Sequence, residues 1–185
     1  MMTRGEAFKL LQEMVKNKNL IRHGIAVEVI MRALAKRFEE DPEEWGIVGL
    51  LHDSDYEVTD KDLYRHTLVI SEKLRELGES ERIINAIQAH SDQIKPIREN
   101  NLEKAVYAAD ELSGLITACA LVRPDKKLAS LDVISVMKKF RSPSFAAGAL
   151  RDNILTCEKE LGIPLEEFVK IALEAMQDAS ESLGL

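Results

Sequence analysis

Apolar residues recur along most of this chain at intervals of three and four, the period of a helix packed along one face. No stretch alternates apolar and polar residues as a half-buried strand would. Thr3 with Glu6 makes a capping-box pattern that opens a first helix running toward Lys18. A second helix is predicted over 20–39, with Leu20, His23, Val27, Met31, Leu34 and Phe38 on one stripe. Asp41-Pro42, an N-cap followed by proline at the first helical position, starts a third. Its inner face carries Trp45, Val48, Gly49 and His52, and it stops near Asp53, where Ser54-Asp55 begins a polar connection. Thr59 or Asp60 is expected to cap a fourth helix with Leu63, His66, Ile70, Leu74 and Leu77 facing inward and Gly78 closing it. Ser80 opens a fifth helix bearing Ile83, Ile87 and His90. A polar loop over 91–101, broken by Pro96, leads to Asn101 as the cap of a helix over 102–122, which Arg123-Pro124 ends. Three further helices are predicted over 130–139, 145–160 and 164–182.

The pattern therefore predicts an all-α bundle of about eight or nine helices with no β-sheet. It is expected to be one domain over 1–185, with a metal-binding core at 20–122 and the helices of 130–183 packed against its side. Leu165, Phe168, Val169, Ala172, Leu173 and Met176 give the last helix an apolar stripe, which serves internal packing or a homodimer.

Composition narrows the function classes. The 185 residues are 45% hydrophobic and 31% charged, the balance of an ordinary globule. The net charge of −7 opposes a long nucleic-acid groove, which needs a basic field to displace counterions. The longest nearly apolar stretch, 115–122, falls far short of the ~20 residues that cross a bilayer. Met1-Met2-Thr3-Arg4-Gly5-Glu6 carries no apolar signal region, so the expected location is the cytoplasm. Cys119 and Cys157 are too few for a disulfide scaffold and read as small buried apolar residues.

The chemistry lies in the histidines. All four fall on inward faces: His23 one turn before Val27, His52 one turn after Val48, His66 one turn before Ile70, His90 three residues after Ile87. A single histidine on an apolar stripe is usually a satisfied core residue; four of them, one followed directly by Asp53, read as a metal centre for first-row transition ions. Asp110 shares its face with Val106, Ser113, Gly114 and Thr117, small enough in part for a helix or ligand to come close. A buried aspartate there calls for a cation or hydrogen-bonding partner. Neighbours on a helix point about 100° apart, so His52 and Asp53 serve one centre only near a helix end or around two ions. A carboxylate bridges two metals with its two oxygens, which makes Asp53 the expected bridge. Phosphate-binding candidates are Arg22 and Arg65, beside ligand histidines, and Lys95 and Arg98 in the loop after His90, although residues so placed are more often solvated surface charges. Lys138, Lys139 and Arg141 suit a helix C-terminus better than a phosphate site. Asp55 and Glu57 read as loop carboxylates, with water orientation as the alternative.

In order and spacing, His23, His52-Asp53 and Asp110 resemble the metal-binding pattern of the HD-domain superfamily, an all-α fold rich in metal-dependent phosphohydrolases. His66 and His90 fall where its binuclear members place two further histidines. The stretches 108–115 and 138–145 are similar to those of small stand-alone HD hydrolases. The resemblance implies an HD-type helical bundle and two divalent ions, with iron, manganese, nickel, cobalt and zinc not distinguished. One ion would be held by His23, His52, Asp53 and Asp110, the other by His66, His90 and Asp53; with a single ion, His66 and His90 would line the pocket. It implies hydrolysis of a phosphomonoester or phosphodiester, a nucleotide among the candidates, with Asp53 and Asp110 as the catalytic carboxylates. The implied partner is a small phosphorylated substrate, with no long nucleic acid and no membrane, on a monomer or homodimer. The alternatives are a di-iron oxygenase on the same ligand set and a helical binding protein with a structural metal. The doublet is followed by Ser54-Asp55 instead of the Ile-Gly of one large subgroup, without its lysine two residues on. The Gly-Tyr-Pro signature of cyclic-dinucleotide phosphodiesterases and the downstream acidic doublet of (p)ppGpp hydrolases have no counterpart. Tyr56 stands where deoxynucleotidases of the superfamily place a glutamate. These departures leave the substrate open.

Overall fold

The structure, a computed structural model, describes residues 2–185. Among them are ten α-helices, one short 3-10 turn and no strand: α1 (Arg4–Met14), α2 (Lys18–Arg37), α3 (Pro42–Leu51), α4 (Leu68–Glu76), α5 (Glu81–Ala89), α6 (Asn101–Leu121), α7 (Val133–Phe140), α8 (Arg151–Leu161), α9 (Leu165–Asp178) and α10 (Ser180–Leu183). One hydrophobic cluster runs through them from Ala7 to Leu183. α6 lies along α2, α5 and α8, and α2 also packs on α3 and α9. No helix among the described residues is long and apolar enough to cross a membrane.

Most helix starts follow from side chains that accept from the first free N–H groups. Thr3 and Glu6 form the reciprocal capping box of α1, Asp41 caps α3 with Pro42 in its first turn, and Ser80 caps α5. The cap of α6 is Asn100, one residue before the predicted Asn101. The stripe of the last long helix, from Leu165 to Met176, is buried within the chain.

Four predicted helices are corrected. The fourth does not start at Thr59 or Asp60; residues 52–67 are a series of turns in which Asp60, Lys61 and Thr67 take positive φ, and the helix begins at Leu68. The wholly buried Asp55 carboxylate takes the N–H groups of Thr67 (2.9 Å) and Ile70 (3.1 Å), so α4 is capped from a distance. Thr59 instead donates its hydroxyl to the Asp55 carbonyl. Leu63 and Leu77, predicted inward, are 50% and 54% exposed. The segment 130–139 splits into a 3-10 turn at Leu128–Ser130 and α7, because Asp132 and Ser135 form their own capping box. The helix expected over 145–160 begins only at Arg151, whose guanidinium donates to the carbonyls of Ala149 (2.6 Å), Ala146 (2.7 Å) and others in the ten-residue connection 141–150 before it. The final segment breaks at Ala179, which raises the helix number to ten.

Two glycines set the distance between α2 and α3. A Cβ on Gly24 would stand 2.9 Å from the Leu50 carbonyl, and one on Gly49 2.8 Å from that of Val27. This close crossing is what brings His23, next to Gly24, toward His52 at the end of α3. Gly49→Ala should therefore push backbone against backbone and lower stability by about 1–3 kcal/mol. Urea unfolding is the check, and an unchanged midpoint would refute the close-packing argument.

Candidate metal centre

Five segments deliver six side chains to one place. His23 comes from α2, His52 from the C-cap of α3, Asp53 from the turn beyond it, His66 from the turn before α4, His90 from the C-cap of α5 and Asp110 from the middle of α6. The two caps matter because α3 and α5 both stop at the centre. The capping residues His52 (φ −53°, ψ −38°) and His90 (φ −77°, ψ −12°) keep right-handed helical angles, and the turns that follow His52 place Asp53 beside the site its neighbour faces.

The ligand atoms fall into two groups around Asp53. In the first, His23 Nε2 lies 3.2 Å from His52 Nε2 and 3.0 Å from Asp110 Oδ1, and Asp53 Oδ2 is 3.6 Å from His23 Nε2 and 3.8 Å from His52 Nε2. In the second, His66 Nε2 and His90 Nε2 are 2.8 Å apart and lie 3.1 and 3.3 Å from Asp53 Oδ1. His23, His52 and Asp110 offer three donor atoms within 4.8 Å of one another, as do His52, Asp53 and His90. Ligands held about 2.0–2.2 Å from an ion stand roughly 2.9–3.5 Å apart. The spacings fit a metal centre.

Every imidazole is tied by its other nitrogen. His52 Nδ1 donates to the Gly49 carbonyl (2.8 Å) and His90 Nδ1 to that of Ile87 (2.6 Å). His66 Nδ1 donates to Asp55 Oδ1 (2.8 Å). His23 Nδ1 donates to Ser113 Oγ (3.1 Å), whose own hydrogen goes to the Asp110 carbonyl. Carbonyl and carboxylate oxygens only accept, so the Nδ1 atoms hold the hydrogens and the Nε2 lone pairs point inward. Such outer partners fix the tautomer and raise the basicity of metal-binding histidines. Lone pairs facing each other at 2.8 Å require a cation or a proton between them.

Protons take that place in the metal-free chain. Burial pushes His23 down, but hydrogen bonding to Asp110 and the charges of Asp110 and Asp53 outweigh it and raise it to about 9. His66, opposed by burial and favoured by Asp53 and Asp55, is also raised to about 9. Burial pushes Asp53 and Asp110 up, yet the surrounding imidazoles hold both below the ordinary carboxylate range. The raised histidines stabilise the metal-free fold below their unfolded value near 6.5, and this is lost as pH rises through about 9. The depressed carboxylates act at the other end, losing their contribution as pH falls. Ions must displace the histidine protons, so metal uptake at pH 7–8 should release protons and tighten toward pH 9. Calorimetry in buffers of different ionisation enthalpy measures this; binding with no net proton release would contradict it.

The structure places the four cationic candidates differently. Arg22 is exposed beside His23 and makes no hydrogen bond or ion pair with any described residue. Arg65 is also exposed. Lys95 is paired with the buried Glu103 at 2.6 Å, and Arg98 with Asp92, its guanidinium 3.3 Å above the Tyr107 ring. The charges of these two are engaged in ordering the loop after His90. Glu57 accepts from the N–H groups of Lys16 and Asn17 at the start of α2. Lys139 lies over the Phe145 ring. Both cysteines are buried and free.

Sequence reasoning missed three contributors. Asp55 looked like a loop carboxylate because its partners, Thr67, Ile70 and His66, lie 11 to 15 residues away. Arg151 gave no signal because its partners are backbone carbonyls. Glu111 follows Asp110, accepts from the Leu150 N–H at 3.0 Å, and is pushed up to about 7 by burial and the Asp110 charge.

Two cavities open at the centre and share His23 and Gly114 as walls. One, about 330 Å³, runs between Asn19, Arg22 and Ala26 of α2 and Gly114 and Thr117 of α6. The other, about 260 Å³, is bounded by Asp110, Glu111, Ala146 and Ala149. A larger one of about 500 Å³ lies between α1 and the end of α4 and touches none of the six ligand candidates.

An all-helical bundle that closes four histidines and two aspartates around one point defines a metal-dependent class of protein. The family model of the HD domain matches residues 20–115, more than half of the chain. The chain belongs to the HD-domain family, whose members are in general metal-dependent phosphohydrolases that bind divalent ions. It is similar to Ribonuclease Y of Chlorobium luteolum, 33% identical over 159 residues that make up 82% of this chain and 28% of that one. Ribonuclease Y of Thermosipho melanesiensis is 30% identical over 140 residues, 73% of this chain and 27% of the relative. For that of Geobacter sulfurreducens the figures are 32% over 98 residues, 53% and 18%. The chain thus spans under a third of the length of these relatives. No solved structure gives a significant match.

Proposed function

We propose that this protein hydrolyses a phosphomonoester or phosphodiester of a small molecule, a nucleotide among them, at a two-ion centre. The observation that carries the reading is the division of Asp53, with Oδ2 toward His23 and His52 and Oδ1 toward His66 and His90. Bound ions would supply Lewis acidity, lowering the pKa of a water and neutralising charge on phosphoryl oxygens. His23, His52 and Asp110 would hold one ion, His66 and His90 the other, and Asp53 both. The residues' own part is orientation: four imidazoles fixed through Nδ1 turn their Nε2 atoms toward the place the ions would take. Arg22, free of partners beside His23, is the cation best placed to meet a substrate oxygen. The name Ribonuclease Y of the relatives supports a phosphodiester within the range; the net charge of −7 supports a small substrate over a long strand.

The test is metal analysis of anaerobically purified protein followed by a panel of phosphomonoesters and phosphodiesters. About two ions per chain and metal-dependent hydrolysis of at least one member are expected. Inert behaviour toward the whole panel, with oxygen consumption by the ferrous form, would replace this reading with the oxygenase.

A further inference from the structure

The four glycines within α2, α3 and α6 are not alike. A Cβ on Gly24, Gly46 or Gly49 would fall within 3.0 Å of an atom packed against it. At Gly114 a Cβ would meet nothing within 4 Å. Glycine inside a helix is unfavourable relative to alanine, and no packing demand explains this one. What adjoins it instead is open space: Gly114 is a wall of both cavities that meet at His23.

The larger of the two is a slot between facing helix stripes. α2 contributes Asn19, Arg22 and Ala26, α6 contributes Gly114 and Thr117, and the turn at Gly184 closes one end. Ala26 and Gly114 keep it open beside the metal centre, where a longer side chain would fill it. Polar groups are few: the unpaired Arg22 guanidinium, the Asn19 amide and the Thr117 hydroxyl. Arg22 lies against the Gly184 backbone, 3.3 Å from where a Cβ on that residue would be. A slot walled by Ala26, Gly114, Leu121, Leu183 and Leu185, with donors at its rim, fits a flat organic group with hydrogen-bond acceptors along its edge.

We infer that the slot between α2 and α6 is the pocket for the non-phosphoryl part of the substrate. Its ligand is a flat group of about nucleoside size, with Gly114 setting the space and Arg22 donating to the acceptor edge. The inference rests on the reading of the six-residue cluster as a metal centre that acts on phosphoesters. It adds which part of the substrate is recognised, and where.

Nucleosides carry no phosphoester, so uridine and adenosine probe the pocket without turnover. Calorimetric titration into the metal-loaded full chain should detect one or both, competing with each other. Gly114→Leu should weaken that binding about tenfold or more, and Arg22→Gln should weaken it too, while metal content and inorganic phosphate binding in Gly114→Leu stay within about twofold. Nucleoside binding unaffected by both variants, or absent in the wild type, overturns the pocket. Nucleoside binding that responds to the variants in a protein inert toward every phosphoester leaves the pocket standing and removes the hydrolase reading alone. Gly114→Ala serves as the folding control, since its methyl group has room.

Discussion

Asp53→Ala should abolish hydrolysis and strip the centre of metal while leaving the helical content unchanged. Its two oxygens contact both histidine groups, at 3.1 to 3.8 Å from four imidazole nitrogens. His52 also has donor atoms of each group within 4.8 Å, but Asp53 faces the two histidine pairs with separate oxygens. Losing merely an outer partner of a metal ligand costs about 10–100-fold in affinity or activity, and removing the shared carboxylate should exceed the top of that range. Elemental analysis and rate measurement on the same preparation decide it; an Asp53→Ala protein with full metal content and rate would refute the bridging role. The single-group variants then separate the ions. Asp110→Ala withdraws a carboxylate from the His23–His52 group only, and His66→Ala an imidazole from the other. If both ions are needed, the two variants fall to similar rates. If one suffices, His66→Ala retains most of the activity.

Asp55→Ala should be the most destabilising change near the centre. The side chain is fully buried and accepts from Thr67 N–H, Ile70 N–H and His66 Nδ1. Alanine leaves those donors buried with no acceptor, at about 1–3 kcal/mol for each unsatisfied group, a sum of several kcal/mol. The start of α4 loosens, and His66 loses the bond that fixes its tautomer. The melting temperature should drop, and the occupancy of the His66–His90 group should drop with it, about 10–100-fold in affinity. Asp55→Asn keeps one acceptor oxygen and should fall between. A melting temperature for Asp55→Ala equal to wild type would contradict the distant cap.

Those two neighbours, Asp53 and Asp55, mark how far the sequence could be read. Asp53 was legible because it adjoins His52, which shares a helical face with Val48, and because a carboxylate bridges where an imidazole does not. Asp55 was not legible, since its partners lie beyond a chain reversal that no local pattern announces. The error over the fourth helix has the same origin. Leu63, His66 and Ile70 do have helical spacing, but Asp55 satisfies the N–H groups at Thr67 and Ile70, and the chain coils until then. A similar override acts at residues 142–150, where Arg151 supplies donors to the carbonyls of Ala146 and Ala149.

By itself, the sequence determined the helices whose caps and apolar stripes are local, and the order of His23, His52, Asp53, His66, His90 and Asp110 that marks the family. Those are short-range facts, written in spacings of a few residues. The tertiary structure alone decided which oxygen of Asp53 meets which histidines, which partner holds each Nδ1, and that Arg22 remains free while Lys95 and Arg98 are paired. It also decided that Gly114 faces a slot where Gly24 and Gly49 face backbone. The physical reason is that hydrogen bonds, ion pairs and close approaches between distant residues depend on where the chain returns, and spacing along a helix carries no information about that.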